Sequence, residues 1–323
     1  MAITWDGNFQ IKTGSTTPQS SHGLALALLN NKLYMTYVGS GGKDLWYSYI
    51  TQGQNSFTNW QGNQQIKIGA NNIPLSSDRP ALAVLNGILH MVYAGEGGSN
   101  LWWSWFDGNT WQGNIPLGFG ANQPQPSLAA FNGQLYLAFH NLVPEVTVTD
   151  PNGAVTVVSP EFDYIYASSF NPEEPFQAGS WLAPQLVGNG GRLPSLGVYN
   201  GSLYMILSQA GGSGLILTEM RGTAWSNWVA LSSDHGTPQS SGGAGIAVYQ
   251  GSLYVVYPGQ GGNNLWYLAI DANNHPTGNI QIKTNGSTPE TSAPVGVSLF
   301  NNALCVAYKG ESSDNIWFAY SPI

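Results

Sequence analysis

The sequence predicts an all-β fold, a six-bladed β-propeller built from four-stranded antiparallel blades. One phrase recurs six times along the 323 residues, and no segment shows a sustained helical period. The third observation is that the N-terminal segment supplies a strand that the last repeat lacks. The composition agrees, because 41 glycines and 12% aromatic residues suit many tight turns between aromatic strands.

The recurring phrase is seen most clearly in LNNKLYMTYVGSGGKDLWYSYI, which begins at Leu29. Each copy carries an anchor leucine, at Leu33, Leu89, Leu135, Leu203, Leu253 and Leu304. The separations of 56, 46, 68, 50 and 51 residues fit repeats of four strands. The interval of 68 holds an insertion at about residues 141–161, in which VTVTDPNGAVTVV has the alternation of a β-hairpin.

Each repeat divides into four predicted strand segments, which in the second copy read PALAVLNG, ILHMVYAG, NLWWSWFDG and WQGNIPL. Asn86-Gly87 is a strong signal for the tight turn between the first two strands. GEGG forms the second turn, and Asp107-Gly108 the third. We expect the small residues of the first strand to line the central channel and the Leu-Trp step of the third strand to pack between blades.

The N-terminus is predicted to close the ring. The sixth repeat ends without a fourth-strand phrase, whereas residues 3–13 contain one, in ITWDGNFQIKTG. This pairing would remove a sheet edge that could otherwise template aggregation. We therefore expect residues 1–323 to form a single propeller domain.

Several classes of function are disfavoured by the composition. The net charge of −8 argues against nucleic-acid partners. No apolar run approaches the length of a membrane span, and no signal peptide is recognisable, which predicts a cytoplasmic protein or one exported without such a signal. Cys305 stands alone, the five histidines lack metal-ligand spacing, and no cofactor motif occurs, so we expect no metal, cofactor or catalytic set.

The NGxLYxxYxG…LWYS phrases, together with DGNTW at Asp107–Trp111, resemble the repeats of tachylectin-like, fungal and bacterial propeller lectins. The resemblance extends over nearly the whole chain and implies binding of glycans or glycoproteins, with N-acetylated sugars as ligands. Two departures stand out. The recurring Arg, Glu and Trp set of six-bladed fucose lectins is absent, and blade four reads Leu215-Ile216-Leu217 in place of the Leu-Trp step.

Candidate sugar-binding residues recur at the start of the third strand. A polar residue precedes the Leu-Trp or Ile-Trp step at Asp44, Asn100, Asn264 and Asn315. The aromatic residues of that step are Trp46, Trp102, Trp266 and Trp317. A sugar ring presents an apolar C–H face and several hydroxyls, so an aromatic platform beside short polar groups suits it. The prediction is a multivalent lectin with shallow sites between blades.

A single site at the mouth of the channel is the alternative. His22, Asp78, Arg79 and Arg192 all lie just before first strands, which places them around the channel on the face of the blade-three insertion. They could form the site of an enzyme or a small-ligand binder. A sialidase is disfavoured, because its carboxylate clamp needs convergent arginines and Arg221 falls in a third turn on the opposite face.

Overall fold

The computed structural model describes residues 2–53, 57–70, 72–149, 152–210 and 212–322. Its strands form six antiparallel sheets arranged in a ring, together with a separate two-stranded hairpin, and the ring confirms the six-bladed propeller. Each blade contributes its strands in chain order from the channel outward, except that the outer strand of the last blade comes from the N-terminus. No helix in the described part of the chain is long and apolar enough to cross a membrane.

The N-terminal strand is β1 (Asp6–Gln10). Blade one contains β2 (Ser20–Leu29), β3 (Lys32–Gly39), β4 (Leu45–Thr51) and β5 (Gln61–Gln65). Blade two contains β6 (Ala81–Leu85), β7 (Ile88–Ala94), β8 (Asn100–Phe106) and β9 (Trp111–Gly120). Blade three contains β10 (Ser127–Phe131), β11 (Gln134–Val143), β14 (Phe162–Phe170) and β15 (Gln185–Asn189), with β12 (Val146–Thr149) and β13 (Val155–Ser159) inserted.

Blade four contains β16 (Gly191–Tyr199), β17 (Ser202–Gln209) and β18 (Leu215–Arg221), and its outer strand is divided into β19 (Ala224–Trp225) and β20 (Val229–Ala230). Blade five contains β21 (Gly245–Tyr249), β22 (Ser252–Pro258), β23 (Leu265–Ile270) and β24 (Pro276–Gln281). Blade six contains β25 (Gly296–Phe300), β26 (Ala303–Lys309) and β27 (Ile316–Tyr320), and β1 is its outer strand.

The turn between the first and second strands has the predicted geometry in every blade. Both of its central residues have positive φ, a conformation that asparagine and glycine tolerate best. The pairs are Asn30-Asn31, Asn86-Gly87, Asn132-Gly133, Asn200-Gly201, Gln250-Gly251 and Asn301-Asn302. Immediately after each turn, the six anchor leucines are fully buried.

Closure of the ring by the N-terminus is confirmed. β1 pairs antiparallel with β27, in a register that sets Asp6 opposite Tyr320 and Gln10 opposite Trp317. The pairing continues beyond β1, because the Ile11 amide donates to the Ile316 carbonyl at 2.8 Å and the Ile11 side chain is fully buried between blades six and one. The N-terminal segment is therefore part of the core.

A Gly-Asn bulge shapes the outer strand of blades one, two, five and six. Both bulge residues have positive φ, and the asparagine turns its side chain towards a tyrosine of the second strand. In blade one, the Tyr37 hydroxyl donates to Asn63 Oδ1 at 2.6 Å. The equivalent pairs are Tyr93–Asn114, Tyr257–Asn279 and Tyr308–Asn8.

The first strands surround the centre of the ring, and the insertion of blade three is a hairpin. The six first strands line a central cavity of about 170 Å³. β11 and β14 stay paired to Val143 and Phe162, beyond which β12 and β13 form the hairpin of the insertion. Residues 150 and 151, at the tip of that hairpin, lie outside the described residues.

The role of the N-terminal segment in the core can be tested with Ile11→Ala. Truncating a fully buried isoleucine costs about 2–5 kcal/mol, and we expect this loss in the global free energy of unfolding measured by urea denaturation. Leu28→Ala is the matched control, because Leu28 is 39% exposed, and it should cost less than about 1 kcal/mol. An unchanged global midpoint for Ile11→Ala would show that the segment frays independently.

The burial of His90 should make the free energy of unfolding depend on pH. The side chain is buried beside Trp103 and Phe176, and its Nδ1 accepts a hydrogen bond from Trp103 Nε1 at 3.3 Å. Burial lowers the pKa of His90 from 6.5 to about 4, so between these pH values the unfolded chain takes up a proton that the native protein excludes. The stability that neutral His90 contributes is therefore complete above about pH 6.5 and is lost as the pH falls towards 4.

We expect the wild-type protein to lose on the order of 3 kcal/mol more unfolding free energy over this pH range than His90→Leu. Urea denaturation of both proteins at a series of pH values measures the difference. Parallel pH profiles would contradict the assignment.

Candidate functional site

Four tryptophans of the third strands lie over glycines of the neighbouring second strands. A Cβ atom at Gly39, Gly95, Gly259 or Gly310 would stand 2.6, 2.4, 2.5 or 2.8 Å from the indole Nε1 of Trp46, Trp102, Trp266 or Trp317, respectively. No side chain fits at such distances, so each indole rests against the backbone of its own blade. All four indoles are partly exposed.

Blade four changes both members of this glycine–tryptophan pair. The Gln209 amide donates to the Gly214 carbonyl at 2.8 Å, as the Gly39 amide donates to the Asp44 carbonyl at 2.9 Å, so Gln209 and Gly39 are equivalent. Trp46 lies two residues after Asp44, and Ile216 lies two residues after Gly214, so Ile216 stands where the other blades have the tryptophan. A side chain and an indole cannot occupy the same space, which explains why both residues differ together.

A polar linker borders three of the four tryptophans. The linker joins the outer strand of one blade to the first strand of the next, and it contains Thr-Pro-Gln or Thr-Pro-Glu ending at Gln19, Gln239 and Glu290. The carbonyls of these residues accept hydrogen bonds from the amides of Ser40, Gln260 and Glu311 in the second turns, at 3.2, 3.1 and 3.1 Å. In the linker that leads into blade two, Leu75 stands where the other linkers have Gln19, Gln239 or Glu290.

Linker, second turn and tryptophan thus form a shallow interblade trough in blades one, five and six. In blade six the trough deepens into a cavity of about 220 Å³, which Glu290, Glu311 and Trp317 line together with Asn8 and Thr288. Hydroxyl, amide and carboxylate groups therefore surround one partly exposed indole. This is a suitable environment for a small ligand that carries both an apolar face and several hydroxyl groups.

Glu311, which lines this cavity, has one carboxylate oxygen without a hydrogen-bond partner. Its Oε1 accepts a hydrogen bond from Asn263 Nδ2 at 2.9 Å, whereas its Oε2 is buried and has no partner. A buried acceptor without a donor is costly, which makes the Glu311 carboxylate an unusual feature of the cavity lining.

The candidate polar residues make bonds of their own. Asp44 Oδ2 accepts from Gln65 Nε2 at 2.8 Å, and Asn315 Oδ1 accepts from Gln19 Nε2 at 3.0 Å. Asn264 is bridged to Glu290, and Asn100 is exposed at the start of β8. In blade six, Trp317 lines the cavity and Asn315 is not among its lining residues.

Sequence reasoning missed the linker residues and Glu311. The repeated Thr-Pro-Gln/Glu phrase was the available signal, and it follows the outer-strand phrase directly.

The four residues predicted around the channel mouth have different surroundings. Arg79 is 7% exposed, lines the central cavity and donates through Nη2 to the Pro194 carbonyl at 3.1 Å. Asp78 accepts from the Arg79 amide through Oδ1, and His22 Nδ1 is 2.9 Å from the Ser21 hydroxyl.

Arg192 lies beside the base of the blade-three hairpin and does not line the central cavity. It donates to Asp163 at 2.7 Å and to Glu161 at 2.8 Å, and the bond to Asp163 raises the pKa of the guanidinium. Asp163 is also 2.6 Å from His140 Nε2. Arg221 bonds to Glu219 instead, so the three arginines of the chain have separate partners.

Comparisons with known proteins show the fold alone. No protein-family model matches the chain, and neither does the sequence of any curated protein. A Trypanosoma rangeli sialidase in complex with sialic acid superposes with a TM-score of 0.60 at 11% identity, over 99% of this chain and 59% of the sialidase. The chain thus spans less than two thirds of that enzyme's length.

A lectin gives a structural match of the same quality. SapL1, solved in complex with alpha-methyl fucoside, superposes with a TM-score of 0.60 at 14% identity, over 93% of this chain and 92% of the lectin. A Hadza microbial sialidase, Hz136, gives 0.61 at 12% identity, over 93% and 66% of the two chains. Lectins and glycosidases both share this architecture, so it does not by itself distinguish binding from catalysis.

Steric exclusion between the glycine and the tryptophan can be tested by a double-mutant cycle in blade two. Gly95→Gln alone should be strongly destabilising, because its side chain meets the Trp102 indole. Adding Trp102→Ile recreates the blade-four combination and should recover at least about 1 kcal/mol relative to the sum of the single changes, in urea denaturation. Gly97→Gln with Trp102→Ile is the control, since only the Ser99 hydroxyl lies near Gly97, and it should be additive. Additivity in the Gly95 cycle as well would contradict the steric explanation.

Proposed function

We propose that this protein is a carbohydrate-binding lectin whose sites are the interblade troughs of blades one, five and six. The observation that carries the proposal is the blade-six cavity, which the Trp317 indole and the Glu311 side chain line together. An aromatic face can pack on the C–H face of a sugar, while the carboxylate accepts a hydrogen bond from a hydroxyl. The glycan complex of SapL1, a propeller of similar size, supports this choice.

The charge of the trough favours a neutral sugar. Glu290 and Glu311 both line the blade-six cavity, and no lysine or arginine is among its lining residues. A sialic or uronic acid would bring a third carboxylate close to these two, at an electrostatic cost. An N-acetylated hexose carries no charge, and its acetamido N–H offers a further donor to a carboxylate oxygen.

The arginines support binding over sialidase catalysis. A carboxylate clamp requires guanidinium groups that converge on one ligand. Arg192 is engaged by Asp163 and Glu161, and Arg221 by Glu219, while Arg79 reaches across the channel. Three separate environments cannot hold one carboxylate together.

Three troughs of the same construction on one rigid ring would give the protein avidity for surfaces with many glycans. Each trough is shallow, so each single affinity should be modest, and linkage through the ring raises the overall affinity without new contacts. The loss of the tryptophan in blade four and the Leu75 substitution in blade two predict fewer than six sites.

The proposal is tested by titrating neutral monosaccharides, including N-acetylglucosamine and N-acetylgalactosamine, in a calorimeter. We expect a stoichiometry near three for wild type and near two for Trp317→Ala, because a central aromatic residue contributes strongly to binding. Glu311→Gln should weaken the blade-six site about three- to tenfold. Trp225→Ala is the matched control, since that indole lies in the outer strand of blade four, and it should keep all three sites. No binding of any sugar at millimolar concentration would refute the proposal.

A further inference from the structure

The central channel contains a buried charge with no counter-charge. Arg79 is the one charged residue among those that line the central cavity, and the rest of the lining is aliphatic side chains, prolines, glycines and two serines. The Arg79 side chain crosses from blade two to blade four, where Nη2 donates to the Pro194 carbonyl at 3.1 Å. Its Nε is buried and has no hydrogen-bond partner.

No acidic group neutralises this guanidinium within the described part of the chain. None of the ion pairs found there includes Arg79. Its sequence neighbour Asp78 directs Oδ1 at the Arg79 backbone amide, 2.6 Å away. Burial accordingly lowers the pKa of Arg79, and the negative charge of Asp78 only partly opposes this shift. A guanidinium nevertheless stays protonated in proteins, so a full positive charge is held inside the ring.

Burial of an uncompensated charge is among the most expensive arrangements in a folded protein, and it normally occurs with a partner ion. A second donor is available in the lining. The Ser127 hydroxyl accepts a hydrogen bond from the Leu196 amide at 2.9 Å, which leaves its own proton free to be donated. Ser195, by contrast, already donates to the Ala244 carbonyl.

We propose that the channel binds a small monovalent anion, which neutralises the Arg79 guanidinium from within the cavity that this side chain lines. A cavity of about 170 Å³ has room for a halide ion or a small carboxylate such as formate or acetate. The anion would stabilise the folded ring at its axis, because Arg79 joins blades two and four there. This site is independent of the troughs, and it requires no contribution from His22 or Arg192.

Thermal unfolding at constant ionic strength tests the proposal. Sodium gluconate, whose anion is much bulkier than bromide or formate, serves as the background salt and is replaced stepwise by bromide in one series and by formate in another. Because a ligand that binds only the native state stabilises it, we expect the melting temperature of the wild-type protein to rise by at least about 3 °C in one or both series. The two series distinguish a halide from a carboxylate.

Arg79→Met should lose this anion dependence, and it should still fold because an apolar residue can replace a buried charge without loss of stability. Arg221→Met removes the same charge from an exposed position and should keep the full response. If bromide is the ion that raises the melting temperature, anomalous diffraction from bromide-soaked crystals should show it in the central cavity, within about 3.5 Å of the Arg79 guanidinium. A flat response in both series, or an equal response in Arg79→Met, would overturn the proposal. Sugar binding by Arg79→Met should equal that of the wild type, so failure here leaves the lectin proposal untouched.

Discussion

The hydrogen bond from a second-strand tyrosine to a bulged asparagine is the interaction on which the arrangement of the blade junctions depends. It recurs in four blades, and the Gly-Asn bulge that allows it turns the asparagine out of the regular ladder. The asparagine then uses its amide group to reach the preceding linker, as Asn8 Nδ2 does to the Ser287 hydroxyl at 2.6 Å. The linker is thereby held against the outer strand, and its backbone bond to the second turn, such as that from the Glu311 amide to the Glu290 carbonyl at 3.1 Å, completes the trough.

The fold was predictable because the signals that determine it are local and repeated. Asn86-Gly87 specifies a turn through its own backbone preferences, and Leu89 marks the buried position that follows. Ring closure was predictable for a related reason, since the N-terminal phrase matches the outer strands of the other repeats. Each of these inferences compares one stretch of sequence with another and requires no knowledge of distance in space.

The site was less accessible from the sequence, because its parts come from three segments of each junction. The tryptophans are recognisable as a repeated step, yet the sequence does not show that Trp317 stands next to Glu290 of the preceding linker. The hydrogen bond from Arg79 to Pro194 joins residues 115 positions apart, and the sequence around either residue contains no pattern that predicts it. Contacts across the ring depend on how the blades are arranged around the axis, which the pattern within one blade does not encode.

The pairing of β1 with β27 has a consequence for how the protein is made. The two strands lie at opposite ends of the chain, so an N-terminal segment synthesised first must wait for its partner until synthesis of the sixth blade is finished. During that time the edge of β1 lacks its partner strand, and the side chain of Ile11 lacks its contacts with blade six. Contacts of very high sequence separation are slow to form, and an unpaired strand edge favours aggregation until the ring closes.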